Sequence, residues 1–164
     1  MKATLAVLSD LEREGVFRRY AIGGAMGAMF YVEPVVTYDM DVFVVLSTVR
    51  GLLTLTPIYE VLRQRGYEPQ DECILIEGVP VQFLPAYNPL VEEALEQARA
   101  VEVEGVPTRV LPLEHLIARA LQTGRLKDRA RVQLLMAEGA VNTGRLAEIC
   151  GRYGLDVPAR EEAP

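Results

Sequence analysis

The sequence predicts an α+β domain, and three observations carry that expectation. Apolar residues recur at strand spacing in several short runs, helical periodicity is interleaved with them, and after Pro112 the helical pattern takes over. At 164 residues, half of them apolar and 24% charged, the chain suffices for one domain with a proper core.

Thr4 to Glu14 places Leu5, Leu8 and Leu11 at helical spacing and stops at Gly15, so a first helix is expected there. Val16, Phe17, Tyr20 and Ile22 suit a strand ending at Gly23-Gly24. AMGAMFYV then fits a buried helix broken at Glu33-Pro34, and DMDVFVVL is the strongest strand pattern in the chain. Leu52 to Arg65 reads as an amphipathic helix with Leu55, Ile58 and Leu62 facing inward. ECILIEGVPVQFLP reads as a hairpin turning at Glu77-Gly78, with Pro80 pushing its second strand toward an edge or a late start. Asn88 to Ala98 is a helix introduced by Asn-Pro, and VEVEGVPTRVL a second hairpin around Glu104-Gly105. LEHLIARALQTG, DRARVQLLMAEG and TGRLAEICGRYG supply three C-terminal helices before a polar tail. The expected organisation is one domain over 1–155, divided into a sheet-bearing core (1–111) and C-terminal helices (112–155), with 156–164 as tail.

Composition narrows the function. A net charge of −6 argues against broad adhesion to nucleic acid or anionic membrane, though a local basic patch could still meet nucleic acid. No apolar run reaches the length of a membrane helix and the first residues turn charged too soon for a signal peptide, so the expectation is a cytoplasmic protein. Cys73 and Cys150 lack metal spacing and read as reduced thiols; His115, the only histidine, reads as structural or exposed rather than as a base.

The stretch that carries chemistry is IGGAMGAMFYVEPVVTYDMD. On a strand Asp39 and Asp41 project from one face, followed there by Phe43 and Val45, while Met40 and Val42 face the other way. Two converging carboxylates repel unless a cation sits between them, and a divalent metal is the simplest such cation. Gly23 and Gly24, between strand and helix, allow backbone N–H groups to approach a phosphate; they equally serve a tight turn. Tyr31, Tyr38 and Tyr59 are candidates to stack on a base or plain packing residues. In TGRLKDRARV, Arg125, Lys127, Arg129 and Arg131 form a basic cluster that suits triphosphate or a nucleic-acid backbone, or a solvated helix start with Asp128 in its first turn.

The order strand, Gly-Gly, short helix, Pro, then D-x-D opening a strand resembles the nucleotidyltransferase superfamily, the polymerase-beta-like fold, and in particular its small stand-alone bacterial or archaeal members. The resemblance covers about residues 1 to 130 in organisation, and its specific part is 22–46. It implies a small mixed sheet of the nucleotidyltransferase fold flanked by helices. It also implies transfer of NMP from an NTP to a hydroxyl on a protein, RNA or small molecule, with Mg²⁺ as the ion and Mn²⁺ as an alternative. Carried over by position, Asp39 and Asp41 would be the catalytic and metal-binding carboxylates, Gly23 and Gly24 would hold triphosphate, Thr37 could contact phosphate, and the R-x-K-D element draws attention to Lys127 and Asp128. The same relatives supply toxin–antitoxin components, a role a short acidic chain would fit. One position departs from the pattern. Gln82 stands where a third carboxylate is expected; its amide oxygen can meet a metal, but it cannot take a proton at neutral pH. Glu77, Glu102 and Glu104 are candidates to replace that carboxylate in space, and a catalytically silent nucleotide- or partner-binding domain of the same fold is the alternative reading.

Overall fold

Sheet and helices alternate through the first two-thirds of the chain and helices alone complete it. The computed structural model describes residues 1–33, 36–47 and 53–159. Among these, α1 (Lys2–Arg13), β1 (Phe17–Ile22), α2 (Gly24–Ala28), β2 (Met40–Leu46), α3 (Thr56–Gln64), β3 (Pro69–Gln70), β4 (Cys73–Ile76), β5 (Val79–Pro85), α4 (Pro89–Glu96), β6 (Arg99–Val103), β7 (Val106–Val110), α5 (Leu113–Thr123), α6 (Leu126–Glu138) and α7 (Thr143–Tyr153) follow in order. The strands form one mixed sheet in the order β3-β4-β5-β2-β1-β7-β6. β2 runs antiparallel to β1 and parallel to β5, so the chain's strongest strand lies at the centre. Its continuous apolar run is what a strand covered on both faces requires.

The two faces of β2 divide the core. Met40, Val42 and Val44 pack with Phe17, Tyr20 and Ile22 beneath α1 and α3. Leu5, Leu8 and Leu11 of α1 are fully buried there, each contributing roughly 1.5–3 kcal/mol relative to exposure. Phe17 and Tyr20 are three apart yet share this face, with ring centroids 5.8 Å apart. The β1–β2 register shifts between Phe17 and Arg19, and that irregularity resets the alternation. On the opposite face Ala21 and Phe43 meet Val91, Ala94 and Leu95 of α4 and Leu116, Ile117 and Ala120 of α5. Leu135 of α6 and Leu146 of α7 extend this second cluster.

Several expected elements have different bounds. The helix foreseen over 25–32 ends at Ala28; Met29 to Tyr31 turn instead, and the Tyr31 hydroxyl donates to the Leu111 carbonyl at 2.9 Å, fixing the exit path. Pro34, foreseen as its breaker, lies outside the described residues, as does Leu52. The helix expected from there begins at Thr56 with Pro57 in its first turn. Two-residue β3 was not foreseen; it is too short to show a period. Both hairpin turns fall where expected, with Glu77 and Glu104 at left-handed φ of 50° and 51°.

Candidate active site

β1 ends where β2 begins, because the two strands are antiparallel neighbours. The backbone N–H of Gly23 donates to the Asp41 carbonyl at 2.9 Å, which closes the end of that ladder. A side chain on Gly23 would collide with Phe43, its Cβ 2.7 Å from Cδ2 and 3.1 Å from Leu111 Cδ1. Gly23 is therefore a packing position whose amide is already committed. Gly24, at φ +58°, opens α2, and a Cβ there would overlap the Asp41 carboxylate, 2.6 Å from Cγ. The glycine pair thus brings the backbone of α2 directly against the side chain of Asp41.

Asp39 lies one residue before the strand, half-buried like Asp41. Thr37 Oγ1 donates to Asp39 Oδ1 at 3.0 Å, so this hydroxyl orients a carboxylate. The Asp41 carboxyl is pushed above the usual carboxylate range, first by burial and then by the negative charge of Asp39. Arg131, Lys127 and Arg125 pull it back from across the site. Two carboxylates competing for one site are the donor set of a divalent cation, and Mg²⁺ is commonly held by one or two carboxylates completed by water and substrate oxygens. Asp39 and Asp41 fit that need. Among the described residues no group of three or more His, Cys, Asp or Glu comes together as a full ligand cage.

Gln82 pairs in register with Asp41 across the parallel β2–β5 ladder, so the two side chains share a face. Its Nε2 donates to Glu72 Oε2 at 3.1 Å, which brings an exposed carboxylate from the β3–β4 turn beside the amide. The glutamates expected to replace the third carboxylate lie elsewhere. Glu77 sits in the β4–β5 turn and takes the Tyr67 hydroxyl at 2.6 Å. Glu102 is on edge strand β6, three strands and about 14 Å from β2. Glu104 accepts the Lys2 amide at 2.7 Å in the turn beyond.

The basic cluster of α6 faces the aspartates. Asp128 is only 1% exposed and takes Arg125 Nε at 2.6 Å and Arg131 Nη1 at 3.1 Å, so two of these cations are already neutralised. Burial alone would raise Asp128; the hydrogen bond and charge of Arg125 and the charge of Arg131 hold it below the usual range. Lys127 is exposed at the rim of a cavity of about 100 Å³ shared with Gly24, Asp41 and Gln82. A larger cavity of about 420 Å³, walled by Val36, Tyr38, Ala130 and Leu134, opens onto the same Asp41, Lys127 and Arg131. Arg119 of α5 also lines the smaller cavity. The sequence carried a signal for it, a lone cation on the stripe Leu116, Arg119, Ala120, Thr123 of an otherwise apolar helix face. His115 is fully buried and bonded through Nε2 to Glu93, away from the aspartates, as a structural residue. Both cysteines are free thiols, Cys150 buried and Cys73 half-buried.

No family model matches the sequence, and no curated protein matches it. Solved structures do match in shape. An antigenic nucleotidyltransferase-like protein from Paracoccidioides brasiliensis superimposes at TM-score 0.61 and 11% identity, covering 93% of this chain and 85% of that one. The antibiotic-resistance factor ANT(2'')-Ia in solution gives 0.52 and 18%, covering 93% of each chain. The same factor in complex with adenylyl-2''-tobramycin gives 0.54 and 18%, covering 93% of this chain and 98% of that one. At such identities the likeness is one of architecture, and the chain has the α+β nucleotidyltransferase fold. No helix among the described residues is long and apolar enough to cross a membrane.

Proposed function

We propose that this protein is an Mg²⁺-dependent nucleotidyltransferase that moves NMP from an NTP to a hydroxyl of a small molecule. The observation that carries the reading is the Asp41 carboxylate seated on Gly24, beside Asp39 and opposite Lys127. The matched complex of ANT(2'')-Ia with adenylyl-2''-tobramycin supports a small-molecule acceptor.

Asp39 and Asp41 would hold the metal, which when bound supplies charge neutralisation to the phosphates. Thr37 fixes the rotamer of Asp39, so the pair is organised before substrate arrives. Lys127 meets phosphate oxygens from the opposite wall, and the first free amides of α2 add partial positive charge. The acceptor oxygen forms a bond to the α-phosphorus, the bond from that phosphorus to the bridging oxygen breaks, and pyrophosphate leaves. Gln82 can orient the acceptor hydroxyl through Oε1, since its Nε2 is engaged. The proton passes to Glu72, the carboxylate within hydrogen-bond reach of that amide.

A second reading, nucleotide binding without turnover, is favoured by the amide at Gln82. Incubation with Mg²⁺, each α-labelled NTP and a panel of hydroxylated small molecules separates the two. Transfer of label, reduced on the order of a hundredfold in Glu72→Gln, is the result the first reading expects. Binding with no labelled product from any acceptor gives the second. Label on protein or RNA instead would move the acceptor to a macromolecule, the form a toxin–antitoxin role would take.

A further inference from the structure

The smaller cavity contains one charged side chain that neither the fold nor the aspartate pair uses. Arg119 lies with its guanidinium carbon 5.5 Å from the Tyr87 ring centroid and 5.9 Å from that of Phe43. Its Nε and Nη1 are closed off from solvent and have no hydrogen-bond partner among the described residues. Buried donors on a charged group are costly to leave unmade. The neighbouring arginines show the usual solution, because Asp128 accepts from both Arg125 and Arg131. No carboxylate plays that part for Arg119.

What completes it must be an anion, and a small one. The cavity holds about 100 Å³, the share of liquid taken by roughly three waters at ~30 Å³ each. That admits a phosphoryl group and excludes a nucleoside. The cavity meets the larger, more apolar one at Asp41, Lys127 and Arg131, so a polyphosphate anchored at the aspartates can send its far end toward Arg119. We propose, resting on the nucleotidyltransferase reading above, that Arg119 receives the pyrophosphoryl end of the donor and that the narrow cavity is a phosphoryl pocket. The two rings hold the guanidinium plane while its N–H groups await oxygens, a task for which a flexible ammonium is less suited.

Calorimetry on the full chain with Mg²⁺ tests this, using inorganic triphosphate, pyrophosphate, AMP and ATP against wild type, Arg119→Met, Arg119→Lys and the surface control Arg63→Met. Arg119→Met is expected to lose on the order of tenfold to a hundredfold in affinity for triphosphate and pyrophosphate, with Arg119→Lys between, Arg63→Met unchanged and AMP unaffected. The Nε–Hε resonance of Arg119 in the wild-type protein should shift on adding pyrophosphate, a readout that needs no variant to fold. Unchanged pyrophosphate affinity in Arg119→Met, an equal loss for AMP, or an unmoved resonance at saturating pyrophosphate overturns the proposal. If the wild type binds inorganic triphosphate at Arg119 yet transfers no label from any NTP, the transferase reading fails and this assignment stands. If transfer proceeds while Arg119→Met binds pyrophosphate normally, the reverse holds; if no polyphosphate binds the wild type, both fall.

Discussion

The carboxylate of Asp41 occupies the space that a side chain on Gly24 would fill. A glycine with left-handed backbone and a half-buried acid on the next strand are thus one feature, because neither could keep its place if the other changed. Gly24→Ala should cost roughly 1–2 kcal/mol from the backbone alone and displace Asp41 as well. Urea unfolding would read the first effect. Nucleotide calorimetry would read the second, with affinity expected to fall at least about tenfold.

Asp39 and Asp41 repel, and without a cation that repulsion burdens the folded state. Asp39→Asn should therefore leave the metal-free protein as stable as the wild type or raise its stability by a few tenths of a kcal/mol, while nucleotidyl transfer falls on the order of a hundredfold or more. Thermal unfolding in chelator, paired with the labelled transfer assay, checks both signs. A loss of stability would mark Asp39 as a structural residue.

Asp128 behaves in the opposite way. It is buried with Arg125 and Arg131 on either side, so Asp128→Asn removes the negative charge that both require. The expected cost is about 1–3 kcal/mol, or roughly 2–4 °C in Tm per kcal/mol for a chain of this size. Differential scanning calorimetry measures it.

Glu93 ties α4 to α5 and α7. It accepts from His115 Nε2 at 3.0 Å, Arg152 Nη2 at 2.6 Å and the Tyr153 hydroxyl at 2.5 Å. Burial alone would raise its carboxyl, but hydrogen bonds from Tyr153, His115 and Arg152 outweigh it and hold the group at about 2, against an ordinary 4.5. Burial pushes His115 below its ordinary 6.5 despite the pull of Glu93. Both folded values lie below the unfolded ones, so as pH falls the unfolded chain takes up protons first and gains on the native state. Stability should be full above 6.5, decline through the histidine's window, and decline again between 4.5 and about 2. Glu93→Gln should remove the lower part of that decline. Urea midpoints measured across the acid range will show it.

The architecture was legible where one residue type does one job. Leu5, Leu8 and Leu11 sit at helical spacing and are all fully buried, and Glu77-Gly78 and Glu104-Gly105 turn because left-handed backbone is needed there. The nearness of Gly24 to Asp41 was also implicit, since a strand ending in glycine beside an antiparallel strand opening with D-x-D brings them together. Less legible was anything set by pairing across the sheet. Nothing in Glu72 distinguishes it from Glu77 or Glu102 until Gln82 reaches it from β5. Asp128 read as a favourable charge in a first helical turn, but packing of α6 buries it between two arginines. Arg119 showed only as a cation on an apolar stripe; its unmade hydrogen bonds emerge when Phe43, Tyr87 and α5 close around it.

The central claim is that the paired aspartates seat a metal-bound triphosphate against Gly24. Calorimetric titration of the wild type and of Asp41→Asn with NTP, each with Mg²⁺ and with chelator, addresses it most directly. Saturable binding in the wild type that needs Mg²⁺ and is lost in Asp41→Asn is the predicted result. Binding of equal strength in all four titrations, or none in any, would contradict the account.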